Sequence, residues 1–233
     1  MRDWQREVWQ AFSRACRALR ESYTCFLRSL AVPVAILIAL AFAFESSVLL
    51  SLAILLVYSI VAVRVHRIVL LGPSAMKTPE LPRMRDIKYA VTFLVITLMA
   101  GVPWMLIIAS TVTMTGGSLS PWAVRVGAVL VLYIVARFSL VLPSIAIDDS
   151  LRLFRAFSVS RAHQLSLFLV VGVLPLVLSF TVTYGVVVPL DWAFGAVAAG
   201  IGAWIAYFPA MILEIAVLSG LFQHIRETRA QQA

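Results

Sequence analysis

Charge is scarce in this chain: of 233 residues, 13% are Asp, Glu, Lys or Arg, and the acidic residues number 11. A water-soluble domain of ordinary composition carries about a quarter charged residues, so that class is excluded. Cysteine is nearly absent as well. Cys16 and Cys25 are the two present, nine residues apart and without a CxxC pair, which excludes a disulfide-built scaffold and a cysteine metal site. The histidines, His66, His163 and His224, form no HExxH or HxxxH pair, and no serine sits in a nucleophile elbow. The usual signatures of a zinc or serine hydrolase are therefore missing, and no cofactor is expected.

What the chain has in abundance is apolar sequence: 62% of its residues are hydrophobic and the mean hydropathy is +0.98. Stretches of about 20 apolar residues cross a bilayer core as helices. Such runs cover residues 27–44, 46–63, 89–108, 122–142, 165–187 and 200–222. The expected fold is an all-α integral membrane protein of six transmembrane helices. Residues 1–28 form an amphipathic interfacial helix, 29–226 the six-span domain, and 227–233 a polar cytoplasmic tail. In the first segment Trp4, Val8, Phe12, Ala15, Leu19 and Tyr23 recur at steps of three and four, one apolar stripe among arginines.

Basic residues set the orientation. Six of the 19 Lys and Arg lie at or before Arg28, six between Arg64 and Lys88, three at Arg152, Arg155 and Arg161, and two at Arg226 and Arg229. All of these ends fall on one side, so the positive-inside rule puts both termini in the cytoplasm, here of a bacterial inner membrane. The net charge of +8 is spread over helix ends instead of gathered in one patch, which argues against nucleic acid and for contact with anionic lipid headgroups. Arg14, Arg17, Arg20, Arg67, Arg152 and Arg155 are the candidate headgroup contacts.

A repeat is legible as well. Arg67-IVLLG-Pro73-Ser74 at one helix exit matches Arg137-FSLVL-Pro143-Ser144 at another, 70 residues on. Pro33, Pro103 and Pro175 recur in alternate spans, and Ala11-Phe12-Ser13 echoes Ala156-Phe157-Ser158. Three hairpins, two of them preceded by an amphipathic interfacial helix, one N-terminal and one mid-chain, are the architecture these matches imply.

The remaining candidates for chemistry are few. Arg137 lies 11 residues before Asp148 and Glu214 lies 12 before Arg226, depths of ~16 and ~18 Å at 1.5 Å per residue. An isolated charge in hydrocarbon is costly, so an intramembrane pair of Arg137 with Glu214 is expected. Asp148 and Asp149, or Ser150, are expected to cap the helix that follows. Small residues at Ala196, Gly200, Ala198 and Gly202 mark a face where a second helix, a protein partner or another copy can approach closely.

The stretch RFSLVLPSIAIDDSLRLFRAFSVSRAHQLSLF, with HRIVLLG at residues 66–72, resembles a group of bacterial six-span proteins. These are the YciC-like proteins and the membrane domains attached to glycerophosphoryl diester phosphodiesterases. The resemblance implies the membrane architecture and not the phosphodiesterase activity, since no catalytic domain of that kind is present in the sequence. The function expected is non-enzymatic: lipid or protein contacts in the envelope, as a partner in a larger complex. The alternative is a transporter of small solutes or lipids with a path between the hairpins.

Overall fold

The structure is a computed structural model that describes residues 3–26, 35–36, 48–76, 83–114, 121–149 and 151–232. All regular structure among these residues is helical. We number the helices α1 (Asp3–Glu21), α2 (Val48–Leu71), α3 (Met84–Met114), α4 (Pro121–Phe138), α5 (Val141–Ala146), α6 (Leu153–Val159), α7 (Gln164–Phe194) and α8 (Ala196–Gln232). Among the described residues five stretches are long and apolar enough to cross a membrane: α2, α3, α4 continued by α5, α7 and α8. The expected first span, 27–44, lies outside the described residues apart from Ala35 and Ile36.

The spans alternate in direction, and the core gathers at one end of the bundle. Val61, Ala62, Val65 and Ile68 of α2 meet Tyr89 and Ile96 of α3, Ala136 through Leu142, Leu167 and Val170 of α7, and Ile215 through Ile225 of α8. At the opposite end Met105, Leu106, Trp122, Val126, Trp192, Phe194, Val197 and Ile205 are exposed, as apolar side chains facing lipid would be. Arg64, Arg67, Arg83, Arg85, Arg152 and Arg155 lie at the packed end, the polar end of the bundle.

Several boundaries differ from the sequence expectation. Residues 227–232 are helical: α8 continues through them, rich in the good helix formers Glu, Arg, Ala and Gln. The turn expected around Pro189 and Asp191 is also helical, and α7 ends at Gly195, whose φ of 83° reverses the chain at a residue without a Cβ. Proline is absorbed within α7 by two π-turns, Leu169–Val173 and Thr183–Val187. Each contains the residue four positions before a proline, Val171 for Pro175 and Gly185 for Pro189. A proline ring clashes with that carbonyl in a regular helix and cannot donate to it. Widening the turn there relieves the clash.

Helix α1 packs along α8. Ala11 and Ala15 are fully buried, and a Cβ built on Gly220 would stand 2.6 Å from the Ala11 carbonyl oxygen, so the crossing requires glycine. Helix α6 packs on α4 in turn, burying Ala156.

Candidate functional site

Several of the polar groups buried at the polar end tie one helix to another, whereas Ser59, Ser139 and Ser144 bond to carbonyls one turn back in their own stretch. His66 of α2 is fully buried. Its Nδ1 lies 2.7 Å from Ser219 Oγ on α8 and its Nε2 lies 3.2 Å from the Tyr89 hydroxyl on α3. Ser219 already donates its proton to the Ile215 carbonyl at 2.8 Å. The His66 Nδ1–H therefore donates to Ser219, which leaves Nε2 to accept from Tyr89. In the sequence His66 is one of three histidines that form no metal-binding pair. The available signal was symmetry about the loop: His66 lies six residues before Gly72 and Tyr89 six after Arg83.

Arg137, near the end of α4, is 4% exposed. Its Nη2 donates to the Phe157 carbonyl at 2.8 Å and its Nη1 to Gln164 Oε1 at 3.4 Å. The guanidinium carbon lies 4.1 Å from the centre of the Phe157 ring and 5.9 Å from that of Tyr133. Phe157 stands in the last turn of α6, whose carbonyls lack intrahelical partners and carry the negative end of the helix dipole. Ser160 Oγ donates to the same oxygen at 2.9 Å. The charge is thus accommodated by a helix end, an amide and two aromatic faces. No ion pair joins Arg137 to Glu214 among the described residues: Glu214 is half-buried on α8. The expected pairing is not formed. α4 packs on α3, α6 and α7, and Arg137 turns to that side.

Arg67, the counterpart of Arg137 in the sequence match, also reaches a helix end. Its Nη1 donates to the Ala146 carbonyl, the last residue of α5, at 3.1 Å. It lies 3.7 Å from Asp148 Oδ2, to which Arg85 Nη1 also points at 3.4 Å. Asp148 does not cap the following helix: the N-cap of α6 is Arg152, without a side-chain cap bond. It closes the preceding one. Asp148 adopts φ 58°, its N–H bonds to Ile145 O at 3.1 Å, and the Asp149 N–H bonds to Ser144 O at 2.9 Å. This is the Schellman arrangement with aspartate in the left-handed position that glycine usually takes. Asp149 therefore serves the same C-terminal closure.

The N-terminal helix is fastened by Glu7, whose Oε1 lies 2.9 Å from His163 Nδ1 while Oε2 accepts from Ser166 Oγ. Burial by itself would raise the Glu7 carboxyl, but the bonds from His163 and Ser166 and the nearby His163 and His224 outweigh it and hold the group below its ordinary range. Arg14 pairs with Glu227 of α8 at 2.8 Å. Of the other expected headgroup contacts, Arg17, Arg20, Arg152 and Arg155 are exposed. On the small-residue face, Gly202 receives the Leu190 side chain of α7, and a Cβ there would stand 2.2 Å from Leu190 Cδ1. Gly200 has open space before it. Among the described residues no group of three His, Cys, Asp or Glu side chains is disposed to hold a metal ion.

Compared with known protein families, curated proteins and solved structures, the chain matches none.

Proposed function

We propose that this is a non-enzymatic, multi-pass protein of the bacterial inner membrane that acts through lipid and protein contacts as a partner in a larger complex, with six spans and both termini in the cytoplasm. The observation that carries the reading is how the buried polar groups are used. His66, Ser219, Tyr89 and Arg137 bond to one another or to helix ends, so their chemistry is committed to holding helices in place. The exposed arginines Arg17, Arg20, Arg152 and Arg155 then offer a basic rim to anionic headgroups. Membership of the YciC-like group is part of the same proposal. Native mass spectrometry of the detergent-extracted full chain is the test. Retained phospholipid together with a stoichiometric protein partner is expected, and a bare monomer would sink the reading.

The three-hairpin arrangement belongs to this proposal too. It is supported by the seating of the interfacial helices: α6 leans on α4, the closing span of the hairpin before it, and α1 leans on α8, the closing span of the last. Counted round a ring, the two seats are equivalent, and Ala156 and Ala11, both fully buried, are the matching contact residues. Ala11→Leu and Ala156→Leu should therefore destabilise the protein to a similar degree, roughly 1–3 kcal/mol for an overpacked contact. A loss at one position and none at the other would argue against the ring.

A further inference from the structure

We propose that the pocket between the end of α2 and the C-terminal part of α8 binds the headgroup of an anionic phospholipid, with Arg226 meeting its phosphate. The inference deepens the reading of the protein as one that contacts anionic lipid, and it rests on that reading for the class of ligand. The pocket exists because α8 outruns its neighbour. α2 stops at Leu71, where Gly72 turns the chain at φ 82°, while α8 runs on to Gln232. Gln223, Arg226, Glu227 and Ala230 recur along it at steps of three and four and so share one face. With Phe222 and with Leu70 of α2 they line a cavity of about 280 Å³. Phe222 is buried and Leu70 half-buried, which makes the inner part apolar, while Arg226 and Ala230 are exposed.

The charges around this cavity do not cancel. Glu227 would repel an anion, but both of its oxygens are engaged: Oε2 lies 2.8 Å from Arg14 Nη2, and Oε1 accepts from Gln223 Nε2 at 3.0 Å. Arg226 has no hydrogen bond or ion pair to any described residue. One cation is therefore left to select the ligand. A basic pocket between membrane helices on the cytoplasmic side suits an anionic headgroup, and a guanidinium fork suits the oxygens of a phosphate. Sites that enclose a whole drug-sized ligand measure roughly 300–1,000 Å³. A smaller cavity admits the headgroup and leaves the two acyl chains in the bilayer.

Full-length protein in detergent is titrated with phosphatidylglycerol or with phosphatidylcholine of the same chain length, and bound lipid is counted by native mass spectrometry. Arg226→Gln should weaken the tightest phosphatidylglycerol adduct about fivefold, the usual weight of one basic residue against anionic lipid, and leave phosphatidylcholine unchanged. Ala230→Trp keeps every charge and fills the space, so it should weaken that adduct at least as much. Arg229→Gln removes the same charge from an exposed position outside the cavity and should change binding less than about twofold. Equal losses for Arg226→Gln and Arg229→Gln would make the arginines a diffuse basic rim and overturn the pocket, as would a folded Ala230→Trp with parental binding. Thermal unfolding checks that each variant is folded, and Ala230→Leu replaces Ala230→Trp if that one is not. Equimolar inorganic phosphate should leave the lipid bound, and displacement would assign the cavity to a free anion and overturn the lipid. A parent that retains no phosphatidylglycerol removes the broader reading as well. A parent that retains it, with every variant equal, removes the pocket alone.

Discussion

Arg67 and Arg137 occupy matching places in two similar stretches, and each donates to a carbonyl in the last turn of a short helix beyond its own. They differ in how the rest of the charge is met. Arg67 shares an exposed carboxylate with Arg85, whereas Arg137 lies against aromatic rings and an amide. The lesson is that a helix C-terminus can act as the fixed part of an arginine socket while the second partner varies with depth. Near the rim a carboxylate is affordable because water still solvates it. Deeper in, quadrupoles and dipoles replace it without adding a second ion to be desolvated.

The comparison breaks most visibly at Arg137. Arg137→Ala empties a buried socket and removes a helix-end bond and a ring contact together, so a loss of about 3 kcal/mol is expected. Denaturant or thermal unfolding in detergent measures it, and Arg137→Lys should recover only part because it lacks the planar fork. A mild effect would mean that the Phe157 carbonyl is adequately served by Ser160. Arg67→Gln should cost less, roughly 1 kcal/mol, and its cost should shrink in high salt as exposed charge pairs are screened. The Arg137 effect should be nearly independent of salt, and equal salt dependence at both sites would mean that both arginines are met by exposed charge.

Glu7 extends the contrast to α1, where a carboxylate and a histidine do the fastening. Its carboxyl is held below the ordinary value of 4.5, so the folded state favours the ionised form. That contribution to stability is present above the ordinary value and is lost as the pH falls through the lowered one. Hydrogen exchange over residues 3–21 should therefore accelerate in the acid range below about 4.5, and Glu7→Gln should abolish that step while weakening protection at neutral pH. The smallest effect is expected at Glu214: with no arginine attached, Glu214→Gln should change stability by less than about 0.5 kcal/mol. A large loss there, reversed by a compensating change at Arg137, would restore the ion pair that the geometry replaces.

Much of the architecture was legible because hydropathy and the distribution of arginines report directly on lipid and water. Five of the expected spans, the polar end and the burial of Arg137 all follow from those two signals. The partner of Arg137 did not. Helical rise gives depth, and Arg137 and Glu214 share a depth, but the direction around the helix axis is fixed by which neighbours pack, and α4 packs away from Glu214. Asp148 was misread for a related reason. Acidic residues between two helices suit an N-cap by type, while the left-handed backbone that makes Asp148 a C-terminal closure is a property of φ that composition does not encode. His66 was overlooked because its two partners come from other helices, one of them 153 residues away.

The paired π-turns of α7 alter the angular phase of everything after them. In a regular helix each residue advances by about 100°, and a π-turn takes up one additional residue without advancing the face. Beyond Val187 the helix is thus set back by about 200° from the direction that an uninterrupted α-helix of the same length would give. It is in this reset phase that Leu190 points at Gly202. The two prolines, which look like flaws in a spanning helix, act as an indexing device that aims the last two turns of α7 at the glycine face of α8.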